Sequence, residues 1–412
     1  MHEMPGKNTV YLQIEGIDSK KSNNLISCLN HGIKEEEEGV WRVGEDDVVS
    51  LFNLERNIVV QDAKAGKYIS ESRYLLLSFV LEVPLDAEQF VLGSKKCFLK
   101  KMRANLIPSI RKARFRQEIL LMFLSVKRAW ELEDKEDVDF LLYEMKRASK
   151  ESKKNEEQML SHVLGATLSK LKNWKKEGGN EQDFVDQHLY PFLDCIFLQD
   201  KKYGYTQSNG LIPHANKETS FFSSSSRKKK EEAEAAANSD ESISSAKSNF
   251  FVFYPLDNEK FGLLCVEVKK PGYTGTQSLS DRSNLALEMK RSIDTQAFYG
   301  VHFPRCLGLL VDGLSATSFV AELTSHGLYT FLELEEFSLL RGKADLGILP
   351  DTVLSFCWLK SLVDEAANMI KKKRKTAPDA GISASNSYKL VKPTVAFPTK
   401  KSNSSRCSSC LI

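Results

Sequence analysis

The stretch Phe261-Gly-Leu-Leu-Cys-Val-Glu-Val-Lys-Lys-Pro-Gly272 decides the fold, because two opposite charges lie at the end of an apolar run. Leu263 to Val266 predict a strand buried on both faces, which Pro271-Gly272 end. Side chains alternate along a strand, so Glu267 and Lys269 share one face, roughly 7 Å apart. A carboxylate and an ammonium placed there can bind a divalent cation and orient a water for phosphodiester cleavage, or they can only neutralise each other.

The neighbouring segments predict a hairpin, a helix and a further strand. Asn249 to Tyr254 is an aromatic and β-branched run, and turn residues separate it from the first run. Ser280-Asp281 can cap a helix with an apolar face, and Cys306 to Gly313 predict another buried strand. Upstream, apolar residues recur at helical spacing from Glu181 to Phe197, which predicts a leading helix.

This order, a helix, a hairpin with Glu-x-Lys on its second strand, a helix and a strand, resembles the PD-(D/E)XK nuclease-like superfamily over about residues 181–370. The chain is also similar to fungal proteins that carry a Glu-Val-Lys-x-Pro strand followed by a Met-Lys helix, here Met289-Lys290. The resemblance implies an α/β (α+β) fold with a mixed sheet flanked by helices. It also implies a Mg²⁺-dependent nuclease in which Glu267 binds the metal and Lys269 orients the attacking water.

The resemblance further implies an acidic ligand opposite Glu267 on the first hairpin strand, where the sequence has none. The facing position falls on Asn249 or its neighbours, and Asp257 is the nearest acid, although its position favours a turn. The predicted metal ligands are therefore Glu267, Asn249 and Asp257. An asparagine in place of an aspartate should lower the affinity for Mg²⁺.

Two functions stay open at this point. The first is a metal-dependent phosphodiesterase acting on DNA or RNA, to which Glu288 and Lys290 of the following helix could contribute. The second is a non-catalytic descendant of the nuclease fold, without a metal cofactor, that serves as a nuclear nucleic-acid- or protein-interaction module. An acid supplied by another element favours the first function, and its absence favours the second.

The remaining parts of the chain predict accessory segments and two regions without a core. Residues 1–100 contain four β-type runs, which predict a small strand-rich segment: Val10 to Ile14, Val40 to Val43, Asn57 to Val60 and Tyr74 to Leu81. Residues 101–180 carry helical patterns that predict a bundle. We expect disorder in the serine- and charge-rich insertion at 203–248 and in the basic, serine-rich tail at 371–412.

Basic residues cluster in two places, although the net charge is only +3. The first cluster predicts a nucleic-acid phosphate contact surface or a solvated helix face, and its members are Lys95, Lys96, Lys100, Lys101, Arg103, Arg111, Lys112, Arg114 and Arg116. Within it, the predicted nucleic-acid contacts are Lys100, Lys101, Arg103, Arg111 and Arg114. The second is similar to a nuclear localisation signal bound by an import receptor, or it complements a helix dipole; it consists of Lys371, Lys372, Lys373, Arg374 and Lys375.

We expect an intracellular protein that does not span a membrane, and the second basic cluster leads us to expect it in the nucleus. No secretory signal is visible, and the apolar runs are shorter than the roughly 20 residues of a membrane span. The eight cysteines are scattered and several lie in apolar runs, which is typical of reduced cysteines. The seven histidines show no metal-binding spacing, and the sequence does not indicate an oligomeric state.

Overall fold

The computed structural model describes residues 9–11, 41–65, 67–92, 96–171, 174, 181–207, 250–269, 280–325, 327–376, 391–392 and 394. Within these residues, a mainly helical N-terminal region precedes a seven-stranded mixed sheet with helices packed on both faces. The fold is therefore mixed α/β, as the sequence predicts.

The N-terminal region combines two helices with short strands. Helix α1 (Val48–Lys64) begins at Asp47, whose carboxylate accepts the backbone N–H groups of Val49 and Ser50. Helix α2 spans Glu71–Leu77. The strands are β1 (Thr9–Tyr11), β2 (Arg42–Val43), β3 (Asp46–Asp47), β4 (Tyr68–Ser70) and β5 (Val80–Val83).

Two of the four predicted β-type runs overlap strands β1 and β2, and a third ends in β5, but the described part of this region is mainly helical. Asn57 to Val60 lie inside α1, and the first four residues of the run Tyr74 to Leu81 lie in α2. The reason is that α1 buries Phe52, Val59 and Ala63 at helical spacing over a window longer than the β-type run. Strand β5 joins the main sheet at its edge, so the region also contributes to the central core.

The described residues between 96 and 198 are mainly helical, as predicted for the bundle and the leading helix. They are α3 (Lys96–Leu106), α4 (Gln117–Glu131), α5 (Lys135–Ser152), α6 (Asn155–Leu171) and α7 (residues 181–198). Helix α7 contains two π-helical turns, Val185–Leu189 and Asp194–Leu198. Buried apolar residues such as Phe123, Leu164 and Phe192 join these helices to the common core.

The main sheet has the strand order β5-β11-β10-β9-β8-β7-β6. Its other strands are β6 (Gly204–Gln207), β7 (Phe250–Leu256), β8 (Glu259–Lys269), β9 (Arg305–Asp312), β10 (Ser315–Leu323) and β11 (Tyr329–Ser338). Strands β8 and β9 pair in parallel, as do β5 and β11, and the other neighbours are antiparallel. Strands β5, β8, β9 and β11 therefore all end at one end of the sheet, which we name the carboxyl edge.

Two helices cover the two faces of this sheet. Helix α8 (Asp281–Phe298) packs on the face of Cys265 and Gly308, because a Cβ atom added to Gly308 would lie 2.5 Å from Met289 Sδ. Helix α9 (Leu349–Thr376) contacts β8, β9 and β11 and buries Phe356, Leu359 and Val363. The sheet is thus enclosed on both faces, which explains its near-continuous apolar strands.

One helical stretch of the described residues, Lys343–Lys372, is long and apolar enough to cross a membrane by length and composition. In its most apolar window 67% of the residues are buried inside the protein. A helix that packs as the core layer of a sheet passes the same test of length and composition, so this stretch is weak support for a membrane span.

Two predicted disordered regions contain ordered pieces. Residues 204–207, inside the predicted insertion at 203–248, form β6 and pair with β7, while residues 208–249 lie outside the described part. In the predicted tail, residues 371–376 continue α9, and Lys392 is buried. Both departures arise from contacts with distant segments, which local composition does not reveal.

Candidate functional site

Glu267 and Lys269 lie at the end of β8, at the carboxyl edge. Glu267 is 8% exposed and aligns with Leu310 of the parallel strand β9, while Lys269 is half-buried and aligns with Asp312. Both side chains share the face of Cys265, which is the face under α8.

The strand that faces Glu267 is β7, joined to β8 by a two-residue turn. Asp257 and Asn258 occupy this turn with positive φ angles of 51° and 65°, a conformation that suits Asn and Asp. The described register ends with Phe250 opposite Val266, and the predicted ligand Asn249 lies outside the described residues.

Asp257 does not belong to the site of Glu267. Strand β8 runs from Glu259 to Lys269, so the turn and Glu267 lie at opposite ends of the hairpin. Eight strand residues span roughly 26 Å, which is far beyond the size of a metal coordination sphere. The prediction that Asp257 and Glu267 share a metal ion is therefore wrong, because Asp257 is the turn residue that the hairpin requires.

A second acid reaches this face from α8. Glu288 is 1% exposed and lies one helical turn before Ser292, whose Oγ is 3.9 Å from Cys265 Sγ. Ser292 lies over Gly262, whereas Met289 and Leu285 lie over Gly308, the partner of Cys265. Helix α8 thus runs antiparallel to β8, and Glu288 follows Cys265 toward Glu267.

The thiol of Cys265 is affected by the charge on Glu288. A hydrogen bond with Cys306, burial and the negative charges of Cys306 and Glu288 raise the pKa of Cys265 well above its usual range. The packing of Leu285, Met289 and Ser292 over Gly308 and Cys265 likewise brings Glu288 to the face of Cys265, which lies two residues before Glu267. Its apolar neighbours in the predicted helix face, Leu285 and Met289, are the sequence signal for this burial.

The beginning of α8 is anchored by acids that already have partners. Ser280 caps the helix, and Glu71 accepts the Ser280 N–H and the Ser283 hydroxyl, both at 3.1 Å. Arg282 binds Glu82 at 2.5 Å and Glu333 at 2.7 Å. These contacts fix the helix that carries Glu288 to the N-terminal region and to the sheet edge.

The described residues contain no group of three His, Cys, Asp or Glu side chains that could hold a metal ion. Of the acids on the face under α8, Glu82 and Glu333 bind Arg282, and Asp294 binds Lys290. Glu267 and Glu288 are also buried there, and Asp312 is exposed at the end of β9. Oxygen donors of this kind suit Mg²⁺, which keeps several waters and is commonly held by one or two carboxylates.

The first basic cluster is divided by the structure. Lys100 and Lys101 are exposed on α3, and Arg111 and Arg114 are exposed in the following loop. Arg103 instead donates to the carbonyls of Val83 and Pro84, at 3.3 and 3.0 Å, and burial lowers its pKa. Arg103 is therefore bound to the end of β5 and is not part of a freely solvated phosphate-contact surface.

The second basic cluster forms the last turns of α9. Lys371 and Lys372 are exposed, while the side chains of Lys373, Arg374 and Lys375 lie outside those that the structure describes.

Searches against protein-family models, curated proteins and solved structures found no significant match to this chain.

Proposed function

We propose that the chain is a metal-dependent phosphodiesterase of the nuclease-like class, which acts on DNA or RNA at the carboxyl edge of its sheet. The observation that carries this proposal is the burial of Glu267 and Glu288 on facing elements, with Lys269 at the rim. Two carboxylates removed from bulk water on one face favour a cation between them.

Each of the three side chains has its own expected role in binding the metal or in cleavage. Glu267 and Glu288 would hold Mg²⁺ and thereby replace the acid that the first hairpin strand lacks. The metal, when bound, supplies a Lewis acid for the phosphate and lowers the pKa of a bound water. Lys269 lies two residues beyond Glu267, at the solvent side, where its ammonium can orient a water or stabilise the charge that develops on the phosphate.

The topology supports the proposal. The order α7, β6, β7, β8, α8, β9, with β9 parallel to β8, agrees with the element order on which the resemblance to PD-(D/E)XK nucleases rests. The ends of β5 and β8 lie at the same edge, four strand spacings or about 19 Å apart. Helix α3 is held at the end of β5 by Arg103, which donates to the carbonyls of Val83 and Pro84. Lys100 and Lys101 could therefore contact the backbone of a nucleic acid whose scissile phosphate lies at Glu267.

The test compares three amide substitutions in the full chain. Glu267→Gln and Glu288→Gln should each weaken Mn²⁺ binding by about ten-fold or more in calorimetry, since each removes one of two charged ligands. Asp257→Asn is the matched control, since it removes a carboxylate from the far end of the same hairpin and Asn also accepts positive φ. Lys269→Met should keep metal binding and lose plasmid nicking.

Several outcomes refute the proposal. It fails if the wild type neither binds Mn²⁺ nor nicks a plasmid, or if Asp257→Asn reduces both as strongly as Glu267→Gln. If Glu288→Gln binds Mn²⁺ as tightly as the wild type, Glu288 is not a metal ligand. The second acid then has to be sought outside the described residues.

The second candidate is a non-catalytic nuclear interaction module, and the exposed basic residues Lys100, Lys101, Arg111 and Arg114 favour it. In this case the wild type binds no metal, but it binds nucleic acid with an affinity that falls as the salt concentration rises. Nucleic-acid binding should then be abolished when glutamine replaces Lys100, Lys101, Arg111 and Arg114. An import receptor would bind the block from Lys371 to Lys375, and replacing that block should shift the protein out of the nucleus.

A further inference from the structure

Helix α8 carries a buried ammonium that binds the C-terminal segment. Lys290 is 1% exposed, and its Nζ donates to Asp294 Oδ2 at 2.8 Å and to the backbone carbonyl of Lys392 at 2.6 Å. The same Nζ lies 4.4 Å from the ring centroid of Tyr329. A lysine buried to this degree is stable only where its donors are satisfied, and Lys392 satisfies one of them.

The other main-chain group of Lys392 is bound as well. Its N–H donates to the Tyr329 hydroxyl at 3.3 Å, and that hydroxyl donates to Asp294. In an extended chain, the N–H and C=O of one residue point to the same side. Lys290 and Tyr329 therefore bind Lys392 as a neighbouring strand would, through one donor and one acceptor.

A second set of the same residue types shows what is special about this one. On α9, Lys360 pairs with Asp364 at 2.7 Å and lies 4.8 Å from the ring of Tyr203, whose hydroxyl donates to Asp364. There, the remaining partner of the lysine is a carboxylate, Asp200, at 3.2 Å. On α8 the corresponding partner is a neutral main-chain carbonyl.

We propose that Lys290, Asp294 and Tyr329 form a peptide-docking site that recognises the main chain of an extended segment, and that Val391–Lys392 of the same chain occupies it. The C-terminal segment is then a displaceable strap over α8. This proposal does not depend on the proposed catalytic function.

The occupant fits the site in three respects. Val391 packs against the hydrophobic core, so an apolar residue precedes the bound one. Pro393 follows in the sequence and biases Lys392 toward an extended conformation before docking. Lys290 and Asp294 neutralise each other, so the site suits an uncharged peptide group, and only a residue that retains its N–H can make both contacts.

The first measurement is hydrogen exchange of the segment 391–394 in the full-length protein. Lys290→Met should increase its exchange by about ten-fold or more, because a charge-assisted hydrogen bond to the segment is lost. Lys360→Met is the matched control, since it removes the same type of lysine from the other helix, and it should leave this segment at the wild-type rate. Lys392→Pro should raise exchange of the remaining amides as Lys290→Met does, and it leaves the three site residues intact.

The second measurement adds a synthetic peptide of residues 387–397 to the full-length Lys392→Pro protein. We expect saturable binding, which the added Lys290→Met substitution should abolish and a peptide with proline at position 392 should not show. The proposal is overturned if Lys392→Pro leaves exchange unchanged, or if Lys360→Met exposes the segment equally. A wild-type dimer in light scattering that Lys392→Pro converts to a monomer would assign the occupant to a second copy and overturn docking within one chain.

Discussion

Gln296 is expected to be one of the most important polar residues of the fold. It is 1% exposed, and its Nε2 donates to the carbonyls of Gly262 and Arg305, both at 2.8 Å. Its Oε1 accepts the Arg305 N–H at 3.0 Å. The side chain thus joins the end of α8 to β8 and to the first residue of β9, and these are the elements that carry Glu288 and Glu267.

Gln296→Leu keeps the approximate volume and removes all three hydrogen bonds. Each buried main-chain group left without a partner costs about 1–3 kcal/mol, so we expect a loss of roughly 3–6 kcal/mol after partial relaxation. This is a large share of the roughly 5–15 kcal/mol that stabilises a typical domain.

Urea denaturation followed by circular dichroism measures this loss in the free energy of unfolding. Gln117→Leu, at an exposed position in the first turn of α4, is the matched control and should change stability by less than about 0.5 kcal/mol. A loss below about 1 kcal/mol for Gln296→Leu would refute the reasoning, because it would mean that the three main-chain groups find other partners at little cost.

Two further predictions concern pH and packing. Burial lowers the pKa of His188, although its Nδ1 lies 2.8 Å from the Leu340 carbonyl oxygen. In the unfolded state the pKa of this histidine is about 6.5, so between the two pKa values the folded state binds fewer protons than the unfolded state. The free energy of unfolding that the neutral His188 contributes is present above about pH 6.5 and is lost as the pH falls toward the pKa of the folded state. The variant His188→Asn should flatten this decline in stability. A pKa of His188 above about 6.5, measured by NMR in the folded protein, would contradict the prediction. Gly308→Val should displace Met289 and α8, which lowers the free energy of unfolding by about 1–3 kcal/mol and weakens Mn²⁺ binding. Gly342→Ala is the control and should do neither, because the space around its Cβ is open. Equal denaturation midpoints and equal Mn²⁺ affinities for the two variants would contradict this prediction.

The elements around β8 could be predicted because their patterns are local. Each of three features lies within a short window of sequence, and the structure contains all of them: the apolar run before Glu267, the turn at Asp257 and Asn258, and the apolar face of α8. The predicted position of Asn249 opposite Glu267 lies outside the described residues, which resume at Phe250. The four-residue run Asn57 to Val60 failed because its β-branched residues also fit the longer helical period of α1.

The missing information concerns contacts between distant segments. Glu288 was a candidate from the sequence, but only the packing of α8 on Cys265 shows that it is buried beside the strand of Glu267. Lys290 and Asp294 are four residues apart and would be interpreted as an ordinary surface pair of a helix. The structure shows that both are buried and that Lys290 binds the carbonyl of Lys392, which is 102 residues away in the chain.

The pairing of β5 with β11 determines when this protein can complete its fold. Leu85, just beyond β5, donates to Glu333 of β11, and 248 residues separate them. During synthesis, β5 and the helices that follow it therefore leave the ribosome well before their partner strand exists. Non-local pairings of this length are slow to form, and the unpaired edge is exposed to other chains in the meantime. Arrest of translation before residue 329 should thus yield a chain that binds chaperones and aggregates, while the complete chain closes its own sheet.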